Sequence, residues 1–331
     1  MTLKLGTIGT NWITQMFVEA AHITGEYALS AVYSRHSDSG AAFADKFETE
    51  ATVYTDLNEF FNSGIDVVYI ASPNGLHFAQ AAEALKAGVE VIVEKSAFDN
   101  TKQYEAIYTL MRENNVHVFE AARHIQQANF KAIAKKIGEM EHISGATFVY
   151  EKYSSRFDAY LAGENPNVLN REFSAGALAD LGVYPLYAAI ALFGMPKSSH
   201  YFATLLNNDT DGRGTAILRY ADFDVTLIFG KGANSYLQSE ILGYRDTIII
   251  DNIAELEEVI YDDGQGSRTV ISTPAPANLM VEEARLFAAI INEPVANEAR
   301  YNELLLTSQR VNAVLTNLRK DAGVVFPSDP A

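Results

Sequence analysis

Near the N-terminus the chain reads Leu5-Gly6-Thr7-Ile8-Gly9-Thr10-Asn11-Trp12-Ile13-Thr14. The apolar run from Leu3 to Ile8 predicts a strand, and the segment from Trp12 to His22 predicts a helix directly after it. Glycine at such a junction lets the backbone approach a ligand, and the helix N-terminus offers N–H groups to an anion. The stretch therefore indicates a turn that binds the phosphates of a nucleotide. A plain structural turn is the alternative, because Asn11 and Thr14 replace the later glycines of the G-x-G-x-x-G pattern.

Strands and helices keep alternating through the first third of the chain. Further strands are predicted at Tyr27–Tyr33, Val67–Ile70, Val91–Val93 and Val116–Phe119, each followed or preceded by a helical stretch. Near-continuous Val and Ile are typical of parallel strands that helices cover on both faces. Residues 1–122 are therefore predicted to form a doubly wound α/β domain.

The pattern changes after Arg123, where a second domain, residues 123–331, is expected. Between His200 and Ser272, apolar segments alternate with Gly, Asn and Asp turns, which predicts successive antiparallel strands. Two amphipathic helices close the chain, and each has one apolar stripe that must pack on another surface. The sequence thus indicates an α+β domain with a large, open, mostly antiparallel sheet. Its predicted strands include Thr215–Tyr220, Asp224–Phe229, Tyr236–Leu242 and Thr247–Asp251.

Composition excludes several classes of function. The 331 residues hold 25 Lys and Arg against 42 Asp and Glu, a formal charge of −17 that repels nucleic acid and anionic lipid. We therefore expect neither nucleic-acid nor membrane partners. The absence of cysteine rules out disulfides and thiolate chemistry, and the seven histidines lack metal-ligand spacing, so no metal is expected. No apolar signal segment follows Met1, which favours a cytoplasmic protein.

The end of the second predicted strand carries Ser34-Arg35. NAD-binding folds usually place an acid here, about 20 residues beyond the glycines, to accept hydrogen bonds from the ribose. A guanidinium in that place instead favours the 2′-phosphate of NADP. The alternative is an ordinary solvated arginine.

Polar residues also follow two later strands. Ser72-Pro73-Asn74 comes after Val67–Ile70, with His77 close behind, and Glu94-Lys95-Ser96 comes after Val91–Val93. The carboxyl ends of parallel strands form the ligand-binding edge of such a sheet. A lysine there can be partly desolvated, which moves its pKa toward the range useful for acid–base catalysis. The ordinary alternatives are a chain turn, a helix-capping His77 and a surface Glu–Lys pair.

Asp180 and Tyr184 lie four positions apart in the apolar helical stretch Ala177–Phe193. At this spacing the two side chains share one helix face, and burying them is unfavourable unless they have partners. A substrate with several hydroxyl groups would provide such partners.

Together these segments resemble the Gfo/Idh/MocA oxidoreductases, and the resemblance spans essentially the whole chain. It is carried by Gly6-Thr7-Ile8-Gly9, Ser34-Arg35, Ser72-Pro73-Asn74 with His77, Glu94-Lys95, Glu120-Ala121 with Arg123, and the segment 176–184. The resemblance implies an N-terminal Rossmann domain and a C-terminal substrate domain. The open sheet of the second domain would form a homodimer or a dimer of dimers, and helices within about 279–320 would return toward the first domain.

The resemblance also implies roles for individual residues. Lys95 would be catalytic, next to Ser96, which stands where many members have a proline with a cis peptide. Asp180 and Tyr184 would complete the catalytic set. The cofactor would be NADP, with NAD possible. The implied cofactor-binding residues are Gly6, Ile8, Gly9, Thr10, Asn11, Trp12, Ile13, Ser34, Arg35, Ser72, Pro73, Asn74, His77, Glu94, Lys95 and Arg123.

The expected activity is hydride transfer between a nicotinamide and a hydroxyl or carbonyl group of a sugar-like, polyol or cyclic diol substrate. Lys95, aided by Tyr184, would move the hydroxyl proton, and Asp180 would orient the substrate. Two alternatives remain: a nucleotide-binding regulator without turnover and a glycosidase that retains its NAD. The presence of both Lys95 and Tyr184 argues against the regulator.

Overall fold

The computed structural model describes residues 1–329, which divide into two compact units. The first unit comprises residues 1–121 and 278–306, and the second comprises residues 122–277 and the chain from 307 onward. Of the C-terminal stretch 279–320, whose helices are expected to return toward the first domain, the part up to Leu306 belongs to the first unit and the rest to the second.

The first unit is built around a six-stranded parallel sheet with strand order β3-β2-β1-β4-β5-β6. This arrangement confirms the predicted doubly wound α/β fold. The order reverses between β1 and β4, and the carboxyl ends of strands at such a reversal border a ligand-binding crevice. The elements are β1 (Leu3–Ile8), α1 (Trp12–Thr24), β2 (Tyr27–Tyr33), α2 (Ser37–Ala44), β3 (Thr52–Tyr54), α3 (Leu57–Phe61), β4 (Val67–Ile70), α4 (His77–Lys86), β5 (Glu90–Glu94), α5 (Thr101–Asn114) and β6 (Val118–Ala121).

The core of the first unit includes a helix from near the end of the chain. Phe17 of α1 stacks on Tyr69 of β4 with ring centroids 3.9 Å apart. From α9 (Val281–Asn292), Phe287 lies 4.8 Å from the ring of Phe119. The Tyr27 hydroxyl donates a hydrogen bond of 2.8 Å to the carbonyl of Ala284 in the same helix. Residues separated by more than 150 positions thus complete one core.

The second unit contains an eight-stranded sheet with strand order β14-β13-β12-β11-β7-β10-β9-β8. The predicted mostly antiparallel sheet is confirmed, with one parallel pairing between β7 and β10, in which Thr226 lies opposite Thr147. The elements are α6 (Ala128–Ile137), β7 (Gly145–Glu151), α7 (Phe157–Leu161), α8 (Val183–Phe193), β8 (Ser198–Leu205), β9 (Asp211–Arg219), β10 (Asp224–Gly230), β11 (Ser239–Leu242), β12 (Thr247–Ile250), β13 (Val259–Asp262) and β14 (Arg268–Val270). The last helix, α10 (Glu298–Asp321), belongs partly to each unit.

The two faces of this sheet differ in their burial. One face contributes fully buried side chains such as Phe148 and Leu227 to a core that also contains Leu186 and Ile190 of α8. The opposite face carries side chains that are half-buried or exposed. They are Phe202, Ile217, Ile228, Ile249 and Ile260.

The apolar stretch Arg171–Phe193 has the length and composition of a membrane-spanning helix, but 72% of its most apolar window is buried within the structure. Such burial is typical of a core helix in a folded unit. Within this stretch, Leu178–Gly182 forms a π-helical turn directly before α8 begins.

Candidate active site

The turn between β1 and α1 is closed by Gly9 and Asn11. Gly9 has a φ of +108°, and a Cβ atom there would lie 2.9 Å from the Ala71 carbonyl oxygen, so only glycine fits. Asn11 has extended backbone, and its Oδ1 accepts hydrogen bonds of 3.1 Å from the amides of Ile13 and Thr14. Its side-chain amide donates to Ala71 at 3.1 Å. Asn11 therefore caps α1 and joins the turn to the end of β4. Its extended backbone does not require a glycine at this position of the pattern.

This turn has the features that a dinucleotide pyrophosphate requires. Glycine leaves room beside the backbone, and the start of α1 carries the partial positive charge of a helix N-terminus. Because Asn11 caps two amides of the first turn, the Trp12 amide remains as the donor available to an anion. The Trp12 side chain is 70% exposed, so this end of the helix is open to solvent.

Two residues of the quoted stretch do not face this turn. Gly6 lies inside β1, where a Cβ atom would come within 2.7 Å of the side chains of Phe60 and Ile65. Ile8 is 2% exposed and belongs to the apolar core. Both residues therefore have a packing role in the structure, and their expected contact with a cofactor stays a prediction. The accessible part of the stretch is Gly9 to Ile13.

Arg35 is exposed at the end of β2, and Ser34 beside it is half-buried. Ser34, Arg35 and His36 follow the strand without an acidic residue among them. Within residues 1–329 no ion pair engages the guanidinium. A positive group without a neighbouring carboxylate suits the 2′-phosphate of NADP better than the hydroxyl pair of an NAD ribose.

The loops after β4 and β5 are joined by His77. Its ring is completely buried, with Nε2 2.8 Å from the Ser72 carbonyl oxygen and Nδ1 3.2 Å from that of Ser96. Burial lowers the pKa of His77, although both carbonyl groups oppose this shift. The structure thus gives His77 a bracing position inside the unit, and its expected contact with a cofactor stays a prediction. Ser72, Pro73 and Asn74 remain partly accessible above it.

Lys95 is half-buried at the ligand edge, and its loop is held from both neighbouring strands. The hydroxyl of Tyr69 in β4 donates a hydrogen bond to Oε1 of Glu94, which is 7% exposed. The amide of Ala97 donates at 3.0 Å to Oε1 of Glu120 in β6. The Lys95–Ser96 peptide is cis. Glu94 therefore fixes the backbone that carries Lys95.

In the second unit, Tyr184 is 8% exposed and surrounded by aromatic and basic groups. Its ring centroid lies 5.2 Å from that of Tyr150 and 5.0 Å from that of His124. The Arg123 guanidinium lies 5.9 Å from the ring centroid, a cation–π distance. The structure thus brings Arg123 and Tyr184 together within this unit, whereas Lys95 belongs to the first unit.

Asp180 is held by Lys231, a residue that the sequence does not single out. The Lys231 ammonium contacts Oδ2 of Asp180 and donates a hydrogen bond of 3.1 Å to the Val168 carbonyl oxygen. Lys231 is 1% exposed, although Gly230-Lys231-Gly232 reads as an ordinary turn after a strand. Lys231 is buried because it pairs with Asp180, which lies 51 positions away in the sequence. No local sequence pattern could therefore have identified Lys231.

Asp211 fixes the start of the helical segment that carries Asp180 and Tyr184. Its Oδ2 accepts hydrogen bonds of 2.7 Å from the Leu178 amide and the Tyr201 hydroxyl. Burial raises the pKa of Asp211, and these hydrogen bonds together with Lys231 partly offset the shift. The position of the helix is therefore set by a buried polar network. Among residues 1–329 no group of three or more acidic or histidine side chains is arranged to hold a metal ion.

Comparison with known proteins gives matches along most of the chain. The Gfo/Idh/MocA model described as an oxidoreductase family with an NAD-binding Rossmann fold matches residues 3–122, and the model of the family's C-terminal domain matches residues 125–249. The uncharacterized oxidoreductase YgjR of Escherichia coli is 38% identical over 328 residues, covering 99% of this chain and 98% of that protein. The scyllo-inositol 2-dehydrogenase (NADP(+)) IolU of Bacillus subtilis is 37% identical over 333 residues, covering 99% of this chain and all of that protein.

A solved structure shares the fold at lower sequence identity. The 3-ketoreductase of Actinomadura kijaniata in complex with NADP and TDP-benzene matches with a TM-score of 0.85 and 18% identity, covering 97% of this chain and 98% of that one. That ketoreductase has also been solved as variants in which one lysine or one tyrosine is replaced. The expected class, a nicotinamide-dependent oxidoreductase, is confirmed by these matches. The chain belongs to the Gfo/Idh/MocA oxidoreductase family, as its sequence motifs predict.

Proposed function

We propose that this chain is an NADP-dependent dehydrogenase or reductase that acts on a CH–OH group of a sugar-like or cyclic polyol. The observation that carries the proposal is the placement of Lys95 at the ligand edge of a Rossmann sheet, on a loop braced by Tyr69 and Glu120. The likeness to a scyllo-inositol 2-dehydrogenase along the whole chain supports the substrate class.

The residues of the first unit would hold the cofactor. The turn from Gly9 to Ile13 receives the pyrophosphate, and Arg35 receives the 2′-phosphate. When bound, the nicotinamide accepts a hydride from the substrate carbon or donates one to it. Ser72, Pro73 and Asn74 border the same sheet edge and complete the cofactor-binding set.

Lys95 and Tyr184 carry the proton transfer in this proposal. In oxidation, the Lys95 Nζ, in its neutral form, takes the proton of the hydroxyl group while the carbon–oxygen single bond becomes a carbonyl; in reduction, it returns that proton. Tyr184 assists as a second hydroxyl donor and acceptor. Asp180 accepts hydrogen bonds from neighbouring hydroxyls of the polyol and so orients it.

The activity is tested by incubating the protein with scyllo-inositol, other polyols, aldoses and dihydrodiols in the presence of NADP or NAD. We expect net NADPH formation with at least one polyol or sugar. Tight cofactor binding without turnover of any compound would instead identify a regulator. Turnover of a glycoside without net consumption of cofactor would identify a glycosidase that recycles a retained nicotinamide.

Cofactor preference depends on Arg35 in this proposal. A charge-assisted hydrogen bond contributes about 1.5–3 kcal/mol, so Arg35→Ala is expected to weaken NADP binding about 10- to 150-fold. NAD binding should change little, because NAD lacks the 2′-phosphate. Fluorescence titration with both cofactors measures the effect, with the exposed Arg112→Ala as the matched control. Equal dissociation constants for NADP and NAD in the unchanged protein would contradict the assignment.

The half-buried face of the eight-stranded sheet supports a homodimer, or a dimer of dimers, formed through that face. It presents Phe202, Ile217, Ile228 and Ile249, an apolar surface of the kind that a second subunit covers. We expect light scattering at micromolar concentration to give at least twice the chain mass and Ile228→Lys to lower it. A monomeric mass for the unchanged protein would overturn this part of the proposal.

The proposed function also includes a cytoplasmic location, which a composition without cysteine supports.

A further inference from the structure

We propose that Lys231 is a positioning residue of the substrate site, which holds Asp180 in its ionised form and joins it to the loop between β7 and α8. The proposal rests on the proposed function, since it takes Asp180 as the group that binds a substrate hydroxyl. Lys231 itself touches no substrate, because its side chain is only 2% exposed.

The ion pair is asymmetric in its exposure. The Asp180 side chain is 34% exposed, whereas that of Lys231 is 2% exposed. The carboxylate therefore retains accessible surface for a ligand while its cation is shielded from water. A buried charge that loses its partner is strongly unfavourable, so the buried ammonium favours the ionised carboxylate of Asp180.

A second carboxylate is influenced by the charge of the same ammonium. Asp211 interacts electrostatically with Lys231 and is 2% exposed, with hydrogen bonds from Leu178 and Tyr201. These bonds and burial leave Asp211 no exposed surface to offer a ligand. Of the two acids near Lys231, Asp180 is the one that can meet a substrate.

Lys231 also connects the two ends of the loop. Its carbonyl accepts a hydrogen bond of 2.8 Å from the Ser154 amide, and its ammonium donates to the Val168 carbonyl at 3.1 Å. Its own amide donates at 2.9 Å to the Gly212 carbonyl. Along this loop Phe157 makes an edge contact with the ring of Tyr153 and a tilted contact with that of Tyr160, at centroid distances of 5.6 and 5.5 Å. The Lys231 side chain thus fixes both the Val168 end of the loop and the Asp180 carboxylate, and its backbone carbonyl holds the Ser154 end.

The proposal is tested by Lys231→Met, which keeps the length of the side chain and removes its charge. We expect kcat/KM for scyllo-inositol, or for the best polyol found, to fall at least 10-fold, mainly through KM. The Kd for NADPH should stay within twofold. The exposed Lys197→Met is the matched control in the same unit, and it should behave as the unchanged protein.

The pH dependence separates positioning from a merely structural role. Without its cation Asp180 binds a proton more readily, so the acid limb of kcat/KM should move to higher pH in Lys231→Met. Asp211, which interacts with Lys231, and Tyr201, which donates to Asp211, are the other titratable groups of this network. If Asp180 is the group responsible, the acid limb of kcat/KM that moves in Lys231→Met should be absent in Asp180→Asn. An acid limb that stays in place in Lys231→Met would overturn the proposal.

A double variant covers the case in which Lys231→Met does not fold. Asp180→Asn combined with Lys231→Met removes both charges, and it should have the kcat/KM of Asp180→Asn alone within twofold. Losses that multiply would show that Lys231 acts independently of Asp180. If the unchanged protein oxidises no polyol, the proposed function fails, and calorimetric binding of scyllo-inositol in the presence of NADPH then decides this inference. Equal affinity in the unchanged protein and Lys231→Met would reject it.

Discussion

Replacing Lys95 by alanine is expected to lower kcat by about 10²- to 10⁴-fold, the usual contribution of a positioned acid–base group. The Kd for NADP should change little, because the turn around Gly9 and the exposed Arg35 remain intact. Glu94 and Tyr69 still hold the loop, so the backbone around the deleted side chain is preserved. Steady-state kinetics and fluorescence titration on the same preparation measure the two effects.

The matched control is Lys102→Ala, which removes an exposed lysine from α5 of the same unit. Tyr184→Phe should have a smaller effect than Lys95→Ala if lysine is the principal base, and a comparable one if tyrosine carries the proton. Near-normal kcat in Lys95→Ala would remove the lysine from the mechanism. A lower melting temperature with unchanged kcat per folded molecule would show that it only supports the structure.

Replacing Arg319 by methionine is expected to lower the free energy of unfolding by about 3 kcal/mol. The guanidinium contacts Asp329, donates at 2.8 Å to the Val324 carbonyl and lies 4.1 Å from the Phe326 ring centroid. Its loss leaves the carboxylate buried without its cation. This value is at the lower end of the range for a broken buried ion pair. Urea unfolding measures it, with the exposed pair variant Arg268→Met as a control that should change little.

The same pair gives the stability a defined pH dependence. Burial alone would raise the pKa of Asp329, but hydrogen bonds from Arg319 and the Phe326 amide, with the guanidinium charge, hold it below its ordinary value. The stabilisation is therefore complete above about pH 4 and is lost as the pH falls through the lowered pKa. The difference in unfolding free energy between the unchanged protein and Arg319→Met should shrink below about pH 4. A difference that is constant with pH would show that packing on Phe326, rather than charge, dominates.

The parallel sheet was predictable because the sequences of its central strands have a recognisable pattern. Val67–Ile70 and Val91–Val93 are continuous apolar runs rich in Val and Ile, which is typical of strands covered on both faces. The neighbouring β3 and α3 escaped prediction. Thr52–Tyr54 has only three residues, half-exposed at the sheet edge, so neither length nor burial leaves a pattern in the sequence.

Other differences arise where distant residues decide the structure. Strand β11 begins at Ser239, not at the predicted Tyr236, which is 94% exposed and has no strand partner to bury it. The parallel pairing of β7 with β10 joins segments almost 80 positions apart, so no turn between them could signal it. The motif positions of Asp180 and Tyr184 could be predicted, but the buried Lys231 that holds Asp180 could not.

The two parts of the first unit are separated in the sequence by residues 122–277 of the second, and this has a consequence for biosynthesis. The first unit lacks α9 until the ribosome has made all of residues 122–277, which takes roughly 8–30 seconds at ordinary elongation rates. During that interval the rings of Tyr27 and Phe119, which α9 finally covers, have no Phe287 or Ala284 to pack against. The nascent chain therefore exposes this apolar surface for the time needed to translate residues 122–277, nearly half of the sequence.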